Sequence, residues 1–321
     1  MKSFARIVCA AIFLTAWQSH AQSGSNAPAG FEPLPASSPY GKALIKTNIP
    51  YGNEPARQNF DLILPAQKKS QPFPLVIWIH GGAWMLGIKE WDNVKYLVKH
   101  GYAIASVDYR FSTESPFPAQ IQDCNAAMNF ILAHAADYGV SAENFVVGGG
   151  SAGGHLALLL GLARDKKDFG ANPGIKPLAI LDFFGPADFS RMKTDTEAIH
   201  STNGLKLYLE AGAKLFGKPV DVATNEARIA SPINYVGAGN PPVLILQGGK
   251  DEMVPAAQSE RLNASLNNAG AKNQLIIVPD AGHDGPVFST PDIASNVVKF
   301  LDGIVGKTNR FQSELKLHPP M

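Results

Sequence analysis

The chain has 321 residues, of which 45% are hydrophobic and 17% are charged, so it is long and apolar enough to bury a substantial core. Its formal net charge is +1, and no basic run alternates with aromatic residues. These features argue against a nucleic-acid or other polyanionic partner. The length would permit two domains, but α/β folds of this size often form one.

The N-terminus has the pattern of a secretory signal peptide. Lys2 and Arg6 give a positive start, Ile7–Trp17 is mostly apolar, and Ser19-His20-Ala21 places small residues at both positions that determine cleavage. The apolar run is too short for a membrane span. We therefore expect residues 1–21 to be removed by cleavage after Ala21, and the mature protein to be secreted or periplasmic without a membrane span.

Cysteine usage fits an exported protein with a large core. Cys9 lies in the predicted signal peptide, so the mature chain would keep one cysteine, Cys124, and no internal disulfide. A sizeable core can stabilise an exported protein without such a bridge. Cys124 falls in a helical pattern, where we expect it to be packed rather than reactive.

Strands and helices alternate along most of the remaining chain. Residues 22–40 are rich in Ser, Pro, Ala and Gly and are predicted to form a flexible leader, 41–306 to form one domain, and 307–321 a polar tail. Predicted strands cover 60–64, 75–79, 102–109, 145–148, 178–184, 243–247 and 275–278, and predicted helices 119–136, 152–163, 256–268 and 293–305. The alternation predicts parallel strands, right-handed crossovers and helices on both faces of the sheet.

Two of the predicted strands differ in character. Phe60–Leu64 alternates apolar and polar residues, which is typical of an outer antiparallel strand. Leu75–Ile79 is continuously apolar, as expected of a strand buried on both faces. Ligands of such sheets bind beyond the carboxyl ends of the parallel strands, and the segments discussed next all follow a strand.

One long segment interrupts the alternation. Residues 188–240 are partly helical around Leu205–Phe216 and carry Ser231-Pro232. We interpret this segment as a cap or lid inserted over the site, with an ordinary long helical crossover as the alternative.

A serine elbow is the first element with a chemical signature. Gly149-x-Ser151-x-Gly153 lies between an apolar strand and an apolar helix. In that context a serine can stand on a sharp strand-to-helix turn with its hydroxyl exposed, and glycines permit the close chain approach that such a turn needs. Ser151 is therefore a candidate nucleophile, and it requires a base.

His283 is the best candidate base, because it lies in a loop just after the last predicted strand. His155 is a further candidate for the site, since it follows Ser151 by four residues and faces the same side of the helix. It has no evident acid partner in the sequence, so its expected role would be to shape the pocket.

The acid that orients the histidine is predicted to be Asp251, which follows the strand 243–247. Glu252 is the adjacent alternative, and Asp284 lies beside the histidine. Asp251 is preferred because proteins with the α/β-hydrolase elbow carry the residues in the chain order Ser, Asp, His.

His80-Gly81-Gly82-Ala83-Trp84 follows the buried strand 75–79 and is predicted to supply backbone donors to an oxyanion. The expected donors are the amides of Gly82 and Ala83, together with that of Ala152 from the elbow. A phosphate-binding loop is the alternative, but no Gly-Lys-Ser/Thr follows. We expect His80 to pin the loop and Trp84 to bind substrate in the acyl pocket, or else only to pack.

Together these motifs resemble the α/β-hydrolase esterases and lipases related to hormone-sensitive lipase, in particular bacterial carboxylesterases and feruloyl-esterase-like enzymes with a His-Gly-Gly-x-Trp loop. The matching segments are His80–Trp84, Asp108–Arg110, Gly149–His155, Ser231–Ile233, Asp251–Pro255 and Gly282-His283. The resemblance implies an α/β-hydrolase fold with a mostly parallel eight-stranded sheet, helices on both faces and a small cap. It also implies a catalytic triad of Ser151, Asp251 and His283.

The chain departs from the His-Gly-Gly-Gly loop of the hormone-sensitive-lipase group at Ala83. Backbone donation survives this change, whereas Trp84 could narrow the site. Asp108-Tyr109-Arg110 is interpreted as a structural ion-pair element without a catalytic role.

The resulting hypothesis is a secreted serine carboxylesterase for small esters, including acetyl or feruloyl esters of plant polysaccharide. No cofactor and no metal are expected, and the partner is a small or polysaccharide-linked ester. The alternatives are an arylformamidase-like amide hydrolase, a peptidase of the prolyl-oligopeptidase type and a non-catalytic binding module. Fold alone does not decide among them.

Overall fold

The computed structural model describes residues 29–54, 56–67, 70–90 and 93–305. The predicted signal peptide (1–21), the first part of the predicted leader (22–28) and the predicted tail (307–321) lie outside these residues. Within the described ranges, no helix is both long and apolar enough to cross a membrane.

A single sheet forms the centre of the described chain. Its strands are β1 (Glu32–Pro33), β2 (Ala43–Pro50), β3 (Asn59–Pro65), β4 (Phe73–Ile79), β5 (Ala103–Val107), β6 (Val140–Gly150), β7 (Ile180–Phe183), β8 (Val243–Gly248) and β9 (Asn273–Val278). The spatial order is β1-β2-β3-β5-β4-β6-β7-β8-β9. Pairing is antiparallel from β1 to β5 and parallel from β5 to β9, which confirms the prediction of a mostly parallel sheet.

The sheet has nine strands in the described residues, rather than the eight that were expected. β2 was not among the strands predicted from the sequence, and neither was β1, which lies within the segment predicted to be a flexible leader. It pairs with β2 at only two positions, Glu32 with Ile45 and Pro33 with Leu44. A two-residue strand has no periodicity of its own, so the sequence gives no sign of it.

Eight α-helices accompany the strands in the described chain. They are α1 (Ala119–Ala133), α2 (Ala135–Tyr138), α3 (Ala152–Leu162), α4 (Phe189–Ala198), α5 (Thr202–Phe216), α6 (Thr224–Ala230), α7 (Ala256–Asn268) and α8 (Pro291–Val305). The predicted helix 119–136 is divided at His134, where α1 ends and α2 begins. Gly139, with φ of 68°, ends α2.

The two faces of the sheet bury separate apolar cores. One core joins Ile77 and Val147 of the sheet to side chains of α1, α3 and α7. The other joins Trp78 and Val146 to α8. Because side chains alternate across a strand, burial of both faces makes β4 buried along its whole length, as its apolar run predicts. Cys124 is buried, and burial raises the pKa of its thiol, so it is a packed residue.

Phe60–Leu64 forms an antiparallel strand, as predicted, but the prediction that this strand is an outer one was wrong. This segment lies in β3, every residue of which is buried between β2 and β5. Its polar residues pair inside the protein: Lys89 Nζ lies 2.8 Å from Asp61 Oδ1 and also donates to Asn59. Paired polar groups can be buried, so alternation here does not indicate exposure.

The segment 188–240 contains α4, α5 and α6 and joins β7 to β8. Asp188 caps α4 by accepting from the Ser190 amide, and Ser201 caps α5 by accepting from Gly204. Arg261 of α7 holds Asp195 of α4 through two hydrogen bonds of 3.0 and 2.8 Å. The segment is thereby tied to helix α7.

A buried carboxyl group lies in β7. Asp182 is fully buried, and its Oδ1 accepts from the Gly185 amide over 3.0 Å. Its Oδ2 is also buried and has no partner among the described residues. Burial raises the pKa of Asp182 to about 8, so the folded protein favours the protonated acid.

This carboxyl group makes the stability depend on pH. The folded pKa of Asp182 is raised, so its contribution is complete below the unfolded pKa and is lost as pH rises to about 8. Asp182→Asn resembles the protonated acid and does not titrate. The free energy of unfolding of the variant minus that of wild type should therefore increase from pH 5 to pH 7, by up to about 1.4 kcal/mol per pH unit. Urea unfolding at both pH values measures it. Asp168→Asn, at an exposed position, is the control. A wild-type-minus-variant difference that does not change with pH would contradict the assignment.

Candidate active site

Ser151 occupies a strained turn between β6 and α3. Its φ of 55° and ψ of −121° lie in a region that L-residues rarely adopt. The turn is held on both sides, since the Ser151 amide donates to the Phe183 carbonyl over 2.8 Å and the Ser151 carbonyl accepts from the His155 amide over 3.0 Å. This is the strand-to-helix elbow that the sequence predicts.

The glycines of the elbow are required by close backbone contacts. A Cβ at Gly153 would lie 2.0 Å from the Ile79 carbonyl oxygen, and one at Gly149 would lie 2.4 Å from the backbone of Gly153. A Cβ at Gly81 would lie 2.9 Å from the Gly150 carbonyl oxygen. The end of β4 and the loop after it are therefore packed directly against the elbow.

The structure brings Ser151, His283 and Asp251 together. Ser151 Oγ lies 2.8 Å from His283 Nε2, and Asp251 Oδ2 lies 2.8 Å from His283 Nδ1. The Asp251 carboxylate can only accept, so Nδ1 carries the ring proton and Nε2 is free to accept from the serine hydroxyl. The His283 side chain is 18% exposed, whereas that of Asp251 is 0% exposed.

Asp251 rather than Glu252 or Asp284 contacts the histidine. Its Oδ1 accepts from the amides of Met253 and Val254, both over 2.9 Å. Glu252 is exposed, and Asp284 accepts from Asn93 over 2.9 Å instead. These contacts orient Asp251 towards His283 and favour the choice made from chain order.

Gln247 is a residue of the site that sequence reasoning missed. Its Nε2 donates to Asp251 Oδ2 over 3.0 Å, and its Oε1 accepts from Ser259 over 2.8 Å. A polar residue at the end of an otherwise apolar strand, Val243–Gln247, is the signal that could have indicated it. Phe184 was also missed; its ring centroid lies 5.0 Å from that of His283.

The loop after β4 has an unusual backbone. Gly82, Ala83 and Trp84 have consecutive positive φ values of 110°, 52° and 58°. The Gly82 carbonyl accepts from the amides of Met85 and Leu86, at 3.0 and 3.1 Å, which closes the turn. No described residue accepts a hydrogen bond from the amides of Gly82, Ala83 or Ala152. These three amides are therefore unpaired within the described part of the chain.

His80 anchors this loop through contacts inside the protein. It is fully buried, with Nδ1 2.6 Å from the Gly81 carbonyl oxygen and Nε2 3.2 Å from Asp108 Oδ1. Its ring stacks on Tyr109 with 4.6 Å between centroids. Arg110 holds Asp123 through two hydrogen bonds of 2.9 and 2.8 Å. Asp108–Arg110 is therefore a structural element, as expected.

The side chain of Trp84 is buried inside the protein. The residue is 6% exposed, and its ring packs on Phe189 with 5.6 Å between centroids. Its Nε1 donates to His155 Nδ1 over 3.1 Å. This burial favours packing over the substrate contact predicted for Trp84. His155 is likewise inside the protein, and burial lowers its pKa to about 4.

Comparison with known proteins identifies the family. The family model described as BD-FAE matches residues 60–266. The chain belongs to the BD-FAE family. This membership confirms the resemblance to esterases related to hormone-sensitive lipase that the motifs indicated.

Individual relatives of this BD-FAE protein are named as esterases. Esterase LipQ of Mycobacterium tuberculosis is 30% identical over 278 residues, which cover 83% of this chain and 64% of LipQ. The chain thus spans less than two thirds of the length of LipQ.

Two solved structures are also similar. A truncated carbohydrate esterase from gut microbiota is 28% identical with a TM-score of 0.72, covering 85% of this chain and 99% of that one. A bifunctional GH43-CE protein of Bacteroides eggerthii is 28% identical with a TM-score of 0.71, covering 81% of this chain and 38% of that one. The α/β-hydrolase fold is thereby confirmed.

The contact between elbow and β4 can be tested with one added methyl group. Gly153→Ala places a Cβ against the Ile79 carbonyl oxygen, so we expect overpacking to lower the free energy of unfolding by about 1–3 kcal/mol. Gly303→Ala, in α8 with open space around it, is the matched control and should gain about 0.5–1 kcal/mol. Urea denaturation compares the two, and equal stabilities would show that the elbow can relax without cost.

Proposed function

We propose that this BD-FAE protein is an exported serine carboxylesterase that hydrolyses small esters through an acyl-enzyme on Ser151. The observation that carries the proposal is the continuous chain Ser151–His283–Asp251, with two contacts of 2.8 Å. The esterase names of LipQ and of the similar structures support an ester substrate.

Acylation begins at the serine hydroxyl. His283 Nε2 takes the proton as Ser151 Oγ attacks the ester carbonyl carbon, and the imidazolium is stabilised by Asp251. The tetrahedral intermediate then collapses, the C–O bond to the alcohol breaks, and Nε2 returns the proton to the leaving alkoxide. The buried, fully hydrogen-bonded Asp251 needs no movement during this cycle.

Deacylation uses the same groups. Water approaches the acyl carbon, His283 takes its proton, and the intermediate collapses with release of the carboxylic acid and re-protonation of Ser151. In both halves the amides of Gly82, Ala83 and Ala152 are proposed to hold the oxyanion. One such donor is typically worth about 3 kcal/mol in the transition state.

The proposed substrates are acetyl or feruloyl esters, including those on plant polysaccharide. One of the similar structures is a carbohydrate esterase and the other is a bifunctional GH43-CE protein, and their 28% identity extends over most of this chain. The N-terminal pattern Lys2–Ala21 supports export, which would bring the enzyme to a polymeric substrate. The segment 188–240 is proposed to act as the cap that limits what enters.

A substrate panel tests the proposal. Wild type should hydrolyse p-nitrophenyl acetate and release acid from acetylated xylan or methyl ferulate, whereas Ser151→Ala should lose about 10³-fold or more of this activity. Ser265→Ala, which removes a serine hydroxyl from helix α7 instead of the elbow, is the control and should keep wild-type activity. Preferential hydrolysis of N-formylkynurenine would support the amide-hydrolase alternative, and activity retained in Ser151→Ala would refute the assigned nucleophile.

Neighbouring acids provide a second test. Asp251→Asn removes the acceptor that fixes the His283 tautomer and should lower kcat by about 10³–10⁴-fold. Glu252→Gln, at the adjacent exposed position, should change kcat by less than about twofold, within the usual effect of a surface change. Steady-state kinetics on p-nitrophenyl acetate compares them, and a larger loss in Glu252→Gln would reverse the assignment.

A further inference from the structure

Trp84 links the loop after β4 to the helix that begins at the nucleophile. Its indole Nε1 donates to His155 Nδ1 over 3.1 Å, and the two rings meet edge-on with 5.3 Å between centroids. The His155 amide in turn donates to the Ser151 carbonyl over 3.0 Å. The loop and the elbow are therefore joined by a side-chain hydrogen bond inside the protein.

The partners of His155 specify its tautomer. An indole N–H can only donate and a backbone carbonyl can only accept. Nδ1 must therefore be unprotonated to accept from Trp84, and Nε2 carries the hydrogen that it donates to the Ala230 carbonyl over 2.8 Å. Burial lowers the pKa of His155 to about 4, which keeps this neutral tautomer in place.

The same cluster reaches the segment 188–240. Ala230 is the last residue of α6, and Phe189 is the first residue of α4. The Phe189 ring centroid lies 5.6 Å from that of Trp84 and 5.1 Å from that of His155. Three segments that are distant in sequence thus share one buried contact.

The loop needs an anchor of this kind. Ala83 and Trp84 both have positive φ, a conformation that non-glycine residues adopt only when the surroundings impose it. Oxyanion donors act only when they lie about 3 Å from the position that the oxyanion occupies. A shift of the loop would therefore move the amides of Gly82 and Ala83 out of hydrogen-bond distance.

We propose that Trp84 and His155 are positioning residues, whose hydrogen bond keeps the amides of Gly82 and Ala83 in register with that of Ala152. Both side chains are buried. Their contribution is to kcat, because correctly placed donors stabilise the transition state more than the bound ester. This inference rests on the proposed esterase function.

Three variants separate the parts of the contact. Trp84→Phe keeps an aromatic ring and loses the N–H donor. His155→Asn keeps an acceptor at the same number of bonds from Cα as Nδ1. His155→Gln carries its amide one bond further out, so it can replace the Nε2 donor but places no acceptor at the position of Nδ1. We expect Trp84→Phe and His155→Gln to lower kcat by about 10-fold or more with KM within about twofold, and His155→Asn to retain most of the rate.

Trp78→Phe is the matched control, because Trp78 is a fully buried tryptophan in the core on the other face of the sheet. A second readout is inhibition by phenylboronic acid, whose serine adduct places an oxygen where the oxyanion forms. Its affinity should fall in the same order as kcat across the variants and stay unchanged in Trp78→Phe.

The outcomes distinguish the inference from the function on which it rests. Wild-type kcat in Trp84→Phe, in a protein whose hydrolysis requires Ser151, would overturn the inference and leave the esterase function standing. If Trp84→Phe does not fold, equal kcat values for the Asn and Gln variants of His155 would overturn it. Absence of Ser151-dependent hydrolysis in wild type would overturn the proposed function, and the inference with it.

Discussion

The close packing of β4 against the serine elbow governs the arrangement of the whole site. Strands β4 and β6 are parallel neighbours, with Ile79 paired to Gly149 at their carboxyl ends. The chain leaves both strands at the same edge, and the Ile79 carbonyl oxygen occupies the space that a side chain at Gly153 would need. Two loops with free amides are thereby brought side by side, and Ser151 is held between them in a backbone conformation that an isolated turn would not keep.

The other half of the site depends on a similar contact between β8 and β9. Gly248 pairs with Val278, and a Cβ at Gly248 would lie 2.1 Å from the Gly282 carbonyl oxygen. The loop that carries Asp251 therefore lies directly against the loop that carries His283. Asp251 accepts hydrogen bonds from Met253 and Val254 of its own loop and from Gln247, so its position is already set when it also accepts from the imidazole. Such preorganisation avoids reorganisation during proton transfer.

The sequence predicts those parts of the fold and site that have a local signal. Apolar runs indicate the parallel strands. Ser151, Asp251 and His283 each follow such a run, in a segment that contains glycine. Features that depend on a distant partner were missed or misread. The alternation in β3 looked like exposure, because nothing near Asp61 in the sequence shows that Lys89 neutralises it in the interior. Trp84 was expected at the substrate for the same reason: its partner, His155, comes from another element.

The segment 188–240, interpreted from the sequence as a cap or as a helical crossover, contacts both halves of the site. It must connect β7 to β8, so it is a crossover by topology. Yet Phe189 packs on Trp84 beside the loop after β4, and Ser201 Oγ donates to the Glu252 carbonyl over 2.8 Å beside the loop after β8. Under the proposed esterase function, the backbone at the elbow sets the reaction class, and the side chains of this segment are the ones proposed to discriminate among esters.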